Sequence, residues 1–329
     1  MVHASPGTDA RRVLQLLLAA TWLLDGLLQY QSFMYTQAFG QMIGGTAAGN
    51  PGVIADPIRW NAALVAHHLV LLNTVFATVQ LLLGLGIAYR PAVRVALAAS
   101  IAWSLGVWWF GEGLGGVLSG GASPVSGGPG AVILYALLAV LLWPAGRPGV
   151  TAPSVAFRAV GAPAARLLWL VLWGSLAYFA LTPANRAPQA LHDMIVSMTG
   201  GEPGWVTWLE SQAAAVLAHQ GLAASIVLAV ALIVIAAGVF LPAPLARSAL
   251  ILALVVAAFI WVFGEAFGQI LAGGATDPNS APLLALLALA YWPPATAGPR
   301  ARRPQADGPP AMALGQAEGS AMDAAPGKP

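Results

Sequence analysis

The chain has no cysteine. That excludes disulfides, thiolate nucleophiles, iron–sulfur clusters and cysteine-type zinc sites. Charge is nearly as scarce. Only 8% of the 329 residues are charged, where a soluble domain carries roughly 25%. A surface so poor in charge would not stay dissolved, so the expected solvent for most of the chain is lipid. The net charge of +2 gives no basis for nucleic-acid binding. The sequence also lacks a phosphate loop, a dinucleotide fingerprint, a nucleophile elbow, an HExxH and a Glu-x-x-His pair.

What is present is apolar: 58% of the residues, in eight runs at about 13–30, 62–88, 93–118, 130–143, 167–182, 212–240, 248–271 and 281–292. The first run follows Arg11-Arg12, as in a secretory signal, but it continues through Asp25 to Tyr30. It reads as a retained membrane helix. Crossing the hydrocarbon takes about 20 apolar residues. The fourth and eighth runs fall short of this and could be re-entrant.

Charge placement favours eight crossings. With the N-terminus cytoplasmic, Arg11, Arg12, Arg90, Arg94, Arg147, Arg158, Arg166, Arg247, Arg300, Arg302, Arg303 and Lys328 lie inside, and only Arg59 and Arg186 lie outside. That asymmetry is what the positive-inside rule expects. The reading is a multi-pass plasma-membrane protein, all-α, with both termini cytoplasmic.

Trp108-Trp109-Phe110-Gly111-Glu112-Gly113-Leu114-Gly115-Gly116 puts a carboxylate into an apolar, glycine-rich run, and Trp261-Val262-Phe263-Gly264-Glu265-Ala266-Phe267-Gly268-Gln269 does so again. With a shift of 153, residues 108–122 match 261–275 at nine of fifteen positions. Residues 135–144 match 284–293 at six of ten with a shift of 149, so the loop before the last helix is four residues shorter in the second copy. Each half holds four runs. An even number returns the chain to its starting side, so the expected architecture is two parallel four-helix repeats. The segments are 1–144, a cytoplasmic linker 145–165, a second repeat 166–293 and a disordered cytoplasmic tail 294–329. The outer loops, about 31–60 and 183–211, are expected to lie on the membrane surface or to cap the bundle.

Chemistry concentrates in a few residues. Glu112 lies roughly 28 Å along its helix, and Glu265 lies at the same depth. Trp108 and Trp261 fall four residues earlier, on the same helix face. Gly111 with Gly115, and Gly264 with Gly268, read as steps for close helix approach. An ionisable group at such depth is a functional candidate. It could equally cap backbone N–H groups at the glycine-rich end of its helix, or pair structurally across helices. Asp25, His67 or His68, and Glu112 reach a similar depth on three helices, and His219 is the second-half counterpart of the histidines. Carboxylate, imidazole and carboxylate could bind a divalent metal or relay protons, or the His–Glu pair could merely satisfy two buried polar groups. Asn73 and Gln80 share a face of the second helix, while the sixth offers no polar partner. A ligand pocket is therefore expected in the first half. Trp22, Trp60, Trp103, Trp143, Trp169, Trp173 and Trp292 read largely as an aromatic belt.

The stretch Phe76-Ala77-Thr78-Val79-Gln80-Leu81-Leu82-Leu83-Gly84-Leu85-Gly86-Ile87-Ala88-Tyr89-Arg90-Pro91, with the apolar run after it, resembles the DoxX-like family of small four-helix membrane proteins. The resemblance covers about 62–118. It implies a redox-linked accessory role, with a quinone as cofactor and a respiratory membrane complex as partner. The residues themselves favour a binding or transport protein with an outward-facing site. A pure scaffold is the third reading.

Overall fold

A computed structural model describes residues 6–144 and 153–293. The tail from 294 and positions 145–152 of the linker lie outside the described residues. The described chain is helical, without a β-strand. In the first half, α1 (Pro6–Leu28) is followed by α2 (Gln37–Gly45), α3 (Gly52–His67), α4 (Leu69–Ala88), α5 (Val93–Phe110) and the short α6 (Ala131–Leu141). Then come α7 (Val155–Val160), inside the expected linker, and α8 (Ala162–Ala180). The chain continues through α9 (Pro183–Arg186), α10 (Ala190–Ser197), α11 (Gly204–Leu217), α12 (Gly221–Gly238), α13 (Ala243–Phe263) and α14 (Ser280–Ala290).

Five stretches are long and apolar enough to cross a membrane: Leu69–Ala88, Arg90–Phe110, Ala162–Ala180, Gly221–Gly238 and Ala243–Ala272. The chain is therefore a multi-pass membrane protein by helix length and composition. Two apolar runs break earlier than their composition suggests. The run 62–88 divides at His68 (φ −124°), and the run 212–240 divides around His219 (φ +64°). The segment before the first break belongs to a separate small core. There α3 packs on α2, burying Met34, Phe39, Ile43, Ile58 and Val65. The expected outer loop is thus a folded helical cap.

The main core is continuous across both halves, running from Leu18 and Trp22 of α1 through α6 and α14 to Trp169 and Trp173 of α8. The two short helices are its centre: Leu138 and Leu287 are both fully buried. At 11 residues each they are about 16 Å long, little more than half of a hydrocarbon layer. Close backbone approach tightens the first half, where a Cβ on Gly84 of α4 would stand 2.9 Å from the Ala19 carbonyl oxygen of α1. Trp22, Trp169 and Trp173 are at most 2% exposed, which corrects their assignment to an interfacial belt. The indole N–H of Trp22 donates to Ser100 Oγ and that of Trp169 to the Ile235 carbonyl, so tertiary packing satisfies what the interface would have.

Arg12, Arg94 and Arg166 lie at one end of the bundle, whereas Arg59 and Arg186 lie on α3 and α9, near the glutamate stretches. Arg12 donates to the carbonyls of Ile87 and Ala88 at the end of α4. Arg94 reaches the Pro144 carbonyl at 3.5 Å, so α6 returns to the level from which α5 starts. Arg166 lies 5.9 Å from the Phe157 ring centroid and 5.8 Å from that of Phe240. The opposite end carries the two glutamate stretches.

Candidate functional site

Helix α5 stops at Phe110 rather than continuing to 118, because Gly113 (φ +57°), Leu114 (φ +56°) and Gly115 (φ +60°) take left-handed conformations. Gly111 and Gly115 therefore form no groove on one helix. Instead Gly115 presses against the loop before α6, where a Cβ would stand 1.8 Å from the Pro129 carbonyl oxygen. The carbonyls at and just beyond the end of α5 are satisfied from the cap. Asn61 donates to Phe110 O at 3.1 Å, Thr46 to Gly111 O at 3.0 Å and Asn50 to Gly113 O at 3.4 Å.

Both glutamates cap the start of the next short helix, not the end of their own. Glu112 Oε1 accepts the backbone N–H of Val132 at 3.1 Å, at the beginning of α6. Glu265 Oε1 accepts from the N–H and hydroxyl of Ser280, and its Oε2 accepts the N–H of Ala281 at 3.1 Å. A carboxylate at a helix N-terminus gains from the orphan donors and from the helix dipole. The indoles repeat the match: Trp108 donates to Pro129 O at 2.7 Å and Trp261 to Pro278 O at 3.1 Å.

The two carboxylates differ in what remains free. Glu265 is fully buried with both oxygens bonded. Glu112 keeps Oε2 without a partner, and its side chain lines a cavity of about 770 Å³. Asp25 of α1 lines the same cavity, 2% exposed, with its carboxyl beside the Tyr135 hydroxyl. Gln29, Gln80 and Tyr135 join them, under walls formed by Trp22, Phe76 and Trp103. Met42, Trp60 and Phe110 stand on its rim and are exposed, so the cavity opens at the glutamate end of the bundle.

The second half closes one side of the cavity with the loop before α14. Asp277 lines it there, fixed by Thr276 Oγ1 at 2.8 Å and by the backbone N–H of Asn279 at 2.8 Å. It lies close enough to Asp25, Glu112 and Glu265 for each to feel its charge. The structure thus brings together Asp25 and Glu112, and adds Asp277, Tyr135 and Gln29, which the sequence reading passed over. Asp277 carried one signal: it is the acid that the second copy has where residue 124 of the first is proline.

The histidines are elsewhere. His67 and His68 sit exposed at the α3–α4 break, and His219 sits exposed at the α11–α12 break, within 3.2 Å of Gln189 Nε2. No histidine lines the cavity. The expected Asp–His–Glu set is therefore not assembled, because the break before α4 leaves both rings outside the bundle interior. Among the described residues no group of three His, Asp or Glu could hold a metal ion.

A second acidic pair lies away from the cavity, in the α11 region. Glu210 is fully buried with both oxygens unpartnered, beside Glu202. Burial, and secondarily the charge of Glu202, push Glu210 up to about 7.

Compared with protein-family models, characterised proteins and solved structures, the chain matches none.

Proposed function

We propose that this protein is a membrane-embedded receptor or carrier for a small molecule or ion, whose site is the cavity ringed by Asp25, Glu112 and Asp277. In this reading eight segments cross the plasma membrane as two parallel four-helix units, with the arginine end cytoplasmic and the cavity facing outward. The short α6 and α14 complete their crossings through the glycine-rich loops that precede them. Non-helical backbone at membrane depth is tolerated only when buried in protein or lining a cavity, and both loops lie against the cavity or the core.

One observation carries the reading. Three carboxyl-bearing residues, Asp25, Glu112 and Asp277, line an open space large enough for an organic molecule, with no Lys, Arg or His among the lining. A scaffold gains nothing from leaving such groups unpaired. Of the two glutamates, Glu265 suits a structural cap and Glu112 a combined cap and ligand contact.

The absence of native cysteine makes the test clean. Gly106 lines the cavity with no atom within 4 Å of a Cβ placed there. A single Gly106→Cys in intact cells should react with a membrane-impermeant thiol reagent added outside. Ala139→Cys, in the sealed core, should not. Failure of Gly106→Cys to react from outside sinks the outward-facing site.

A quinone-linked subunit of the DoxX-like kind is the second reading. It is favoured by the aromatic walls formed by Trp22, Phe76 and Trp103. Extraction of the purified protein and detection of a bound quinone by its ultraviolet spectrum would promote it.

A further inference from the structure

The ionisable residues around the cavity are all acidic or phenolic: Asp25, Glu112, Asp277 and Tyr135. Gln29 Oε1, Gln80 Oε1 and Glu112 Oε2 are all buried, unpartnered and on its lining residues. Asp25, Gln29 and Gln80 are at most 8% exposed. The Tyr135 hydroxyl stands beside the Asp25 carboxyl, and the Trp103 indole N–H is a further donor on the lining. No Lys, Arg or His lines the cavity. A guest that satisfies this wall must bring donors and positive charge.

We infer that the cavity binds an organic cation: a protonated amine carried on an apolar body. The inference rests on the reading of the cavity as a ligand site and names the ligand's chemical class. An anion would find no Lys, Arg or His on the lining to pair with, and three carboxyl-bearing residues from α1, the loop after α5 and the loop before α14 instead. A bare metal ion fits poorly, since no three-residue ligand set is assembled among the described residues and about 770 Å³ far exceeds an ion's needs. A neutral apolar guest would leave the three carboxyl-bearing residues of the lining without a charge partner. The aromatic walls suit the apolar body of such an amine. The Trp22 and Tyr135 rings pack 4.3 Å apart and those of Phe76 and Trp103 5.8 Å apart, giving the lining an aromatic wall for the guest's apolar body. Because Asp277 comes from the second half and Asp25 and Glu112 from the first, the charge of one guest is shared across both halves.

The test uses three probes of one shape: 4-phenylbutylamine, 4-phenylbutanol and 4-phenylbutyrate. Each is titrated calorimetrically into the full chain in lipid nanodiscs, with empty nanodiscs subtracted. The amine should bind about tenfold or more tighter than the alcohol, and the carboxylate should not bind. Asp25→Asn and Asp277→Asn should each weaken the amine about tenfold and leave the alcohol unchanged. Gly106→Trp, which touches no polar group, should abolish amine binding at unchanged melting temperature, and so serves if an Asp variant fails to fold. Equal affinity for amine and alcohol overturns the inference, as does amine binding that survives both Asp substitutions in folded protein. Displacement of the amine by calcium chloride, or no binding of any probe, also overturns it. If the alcohol or carboxylate binds and Gly106→Trp blocks it, only the amine assignment fails. If Gly106→Cys is also unreactive from outside, the ligand-site reading fails with it.

Discussion

Glu112 accepts the backbone N–H of Val132 across a twenty-residue loop, joining the end of α5 to the start of α6. Glu265 does the same for Ala281 and adds the N–H and hydroxyl of Ser280. The two caps are alike in position and unequal in strength, so substitution should separate them. Glu265→Ala is expected to cost roughly 2–3 kcal/mol, because it strands several buried donors. Glu112→Ala should cost about 1 kcal/mol, the value of a single cap bond. Thermal or denaturant unfolding in detergent reads both. Equal losses would show that the extra Ser280 and Ala281 bonds contribute nothing.

The left-handed turn after α5 makes a second contrast. Gly115 and Gly120 both have positive φ, at +60° and +77°. A Cβ at Gly115 collides with Pro129, whereas one at Gly120 meets nothing within 4 Å. Gly120→Ala should therefore cost only the backbone term, about 1 kcal/mol. Gly115→Ala should cost about 3 kcal/mol or more, adding overpacking to the same term. Melting temperatures of the two variants decide it. A milder effect at Gly115 would mean that the loop can shift away from α6.

Glu210 gives a pH signature. Its folded-state pKa is raised to about 7 by burial and by Glu202. The unfolded chain releases this proton near the ordinary glutamate value, so the folded state binds more protons in between. This group's contribution to stability therefore falls as pH rises from about 4.5 to about 7, and is flat above. Glu210→Gln should flatten the melting temperature across that window relative to the native chain. An unchanged slope would place the proton uptake on another group.

Arg12 ties α1 to the basic end of α4 through the Ile87 and Ala88 carbonyls. Those carbonyls lie at a helix C-terminus, where a cation gains from both hydrogen bonding and the dipole. Arg12→Gln should lower stability by roughly 1–2 kcal/mol, and Arg12→Lys should recover part of it. Chemical denaturation of the three proteins measures this. A fully stable Arg12→Gln protein would make the contact incidental.

Composition alone determined that the chain belongs in lipid, since 8% charge cannot cover a soluble surface. The sequence also marked Glu112 and Glu265 as a matched pair and placed Asp25 and Gln80 in a polar first half. Those residues were legible because a charged or amide group in an apolar run is costly unless something uses it. The breaks at His68 and His219, and the stop at Phe110, were not legible as such. Apolar runs continue through the breaks, and packing of α3 on α2, the left-handed backbone at His219 and the left-handed turn around Gly115 end the helices there. The tertiary structure alone decided which polar groups meet. It left the histidines outside, turned the glutamates into caps for helices that follow them, and brought Asp277 to Asp25 from 252 positions away. Hydrophobic pattern fixes depth and burial, but convergence of side chains depends on how loops fold back between helices.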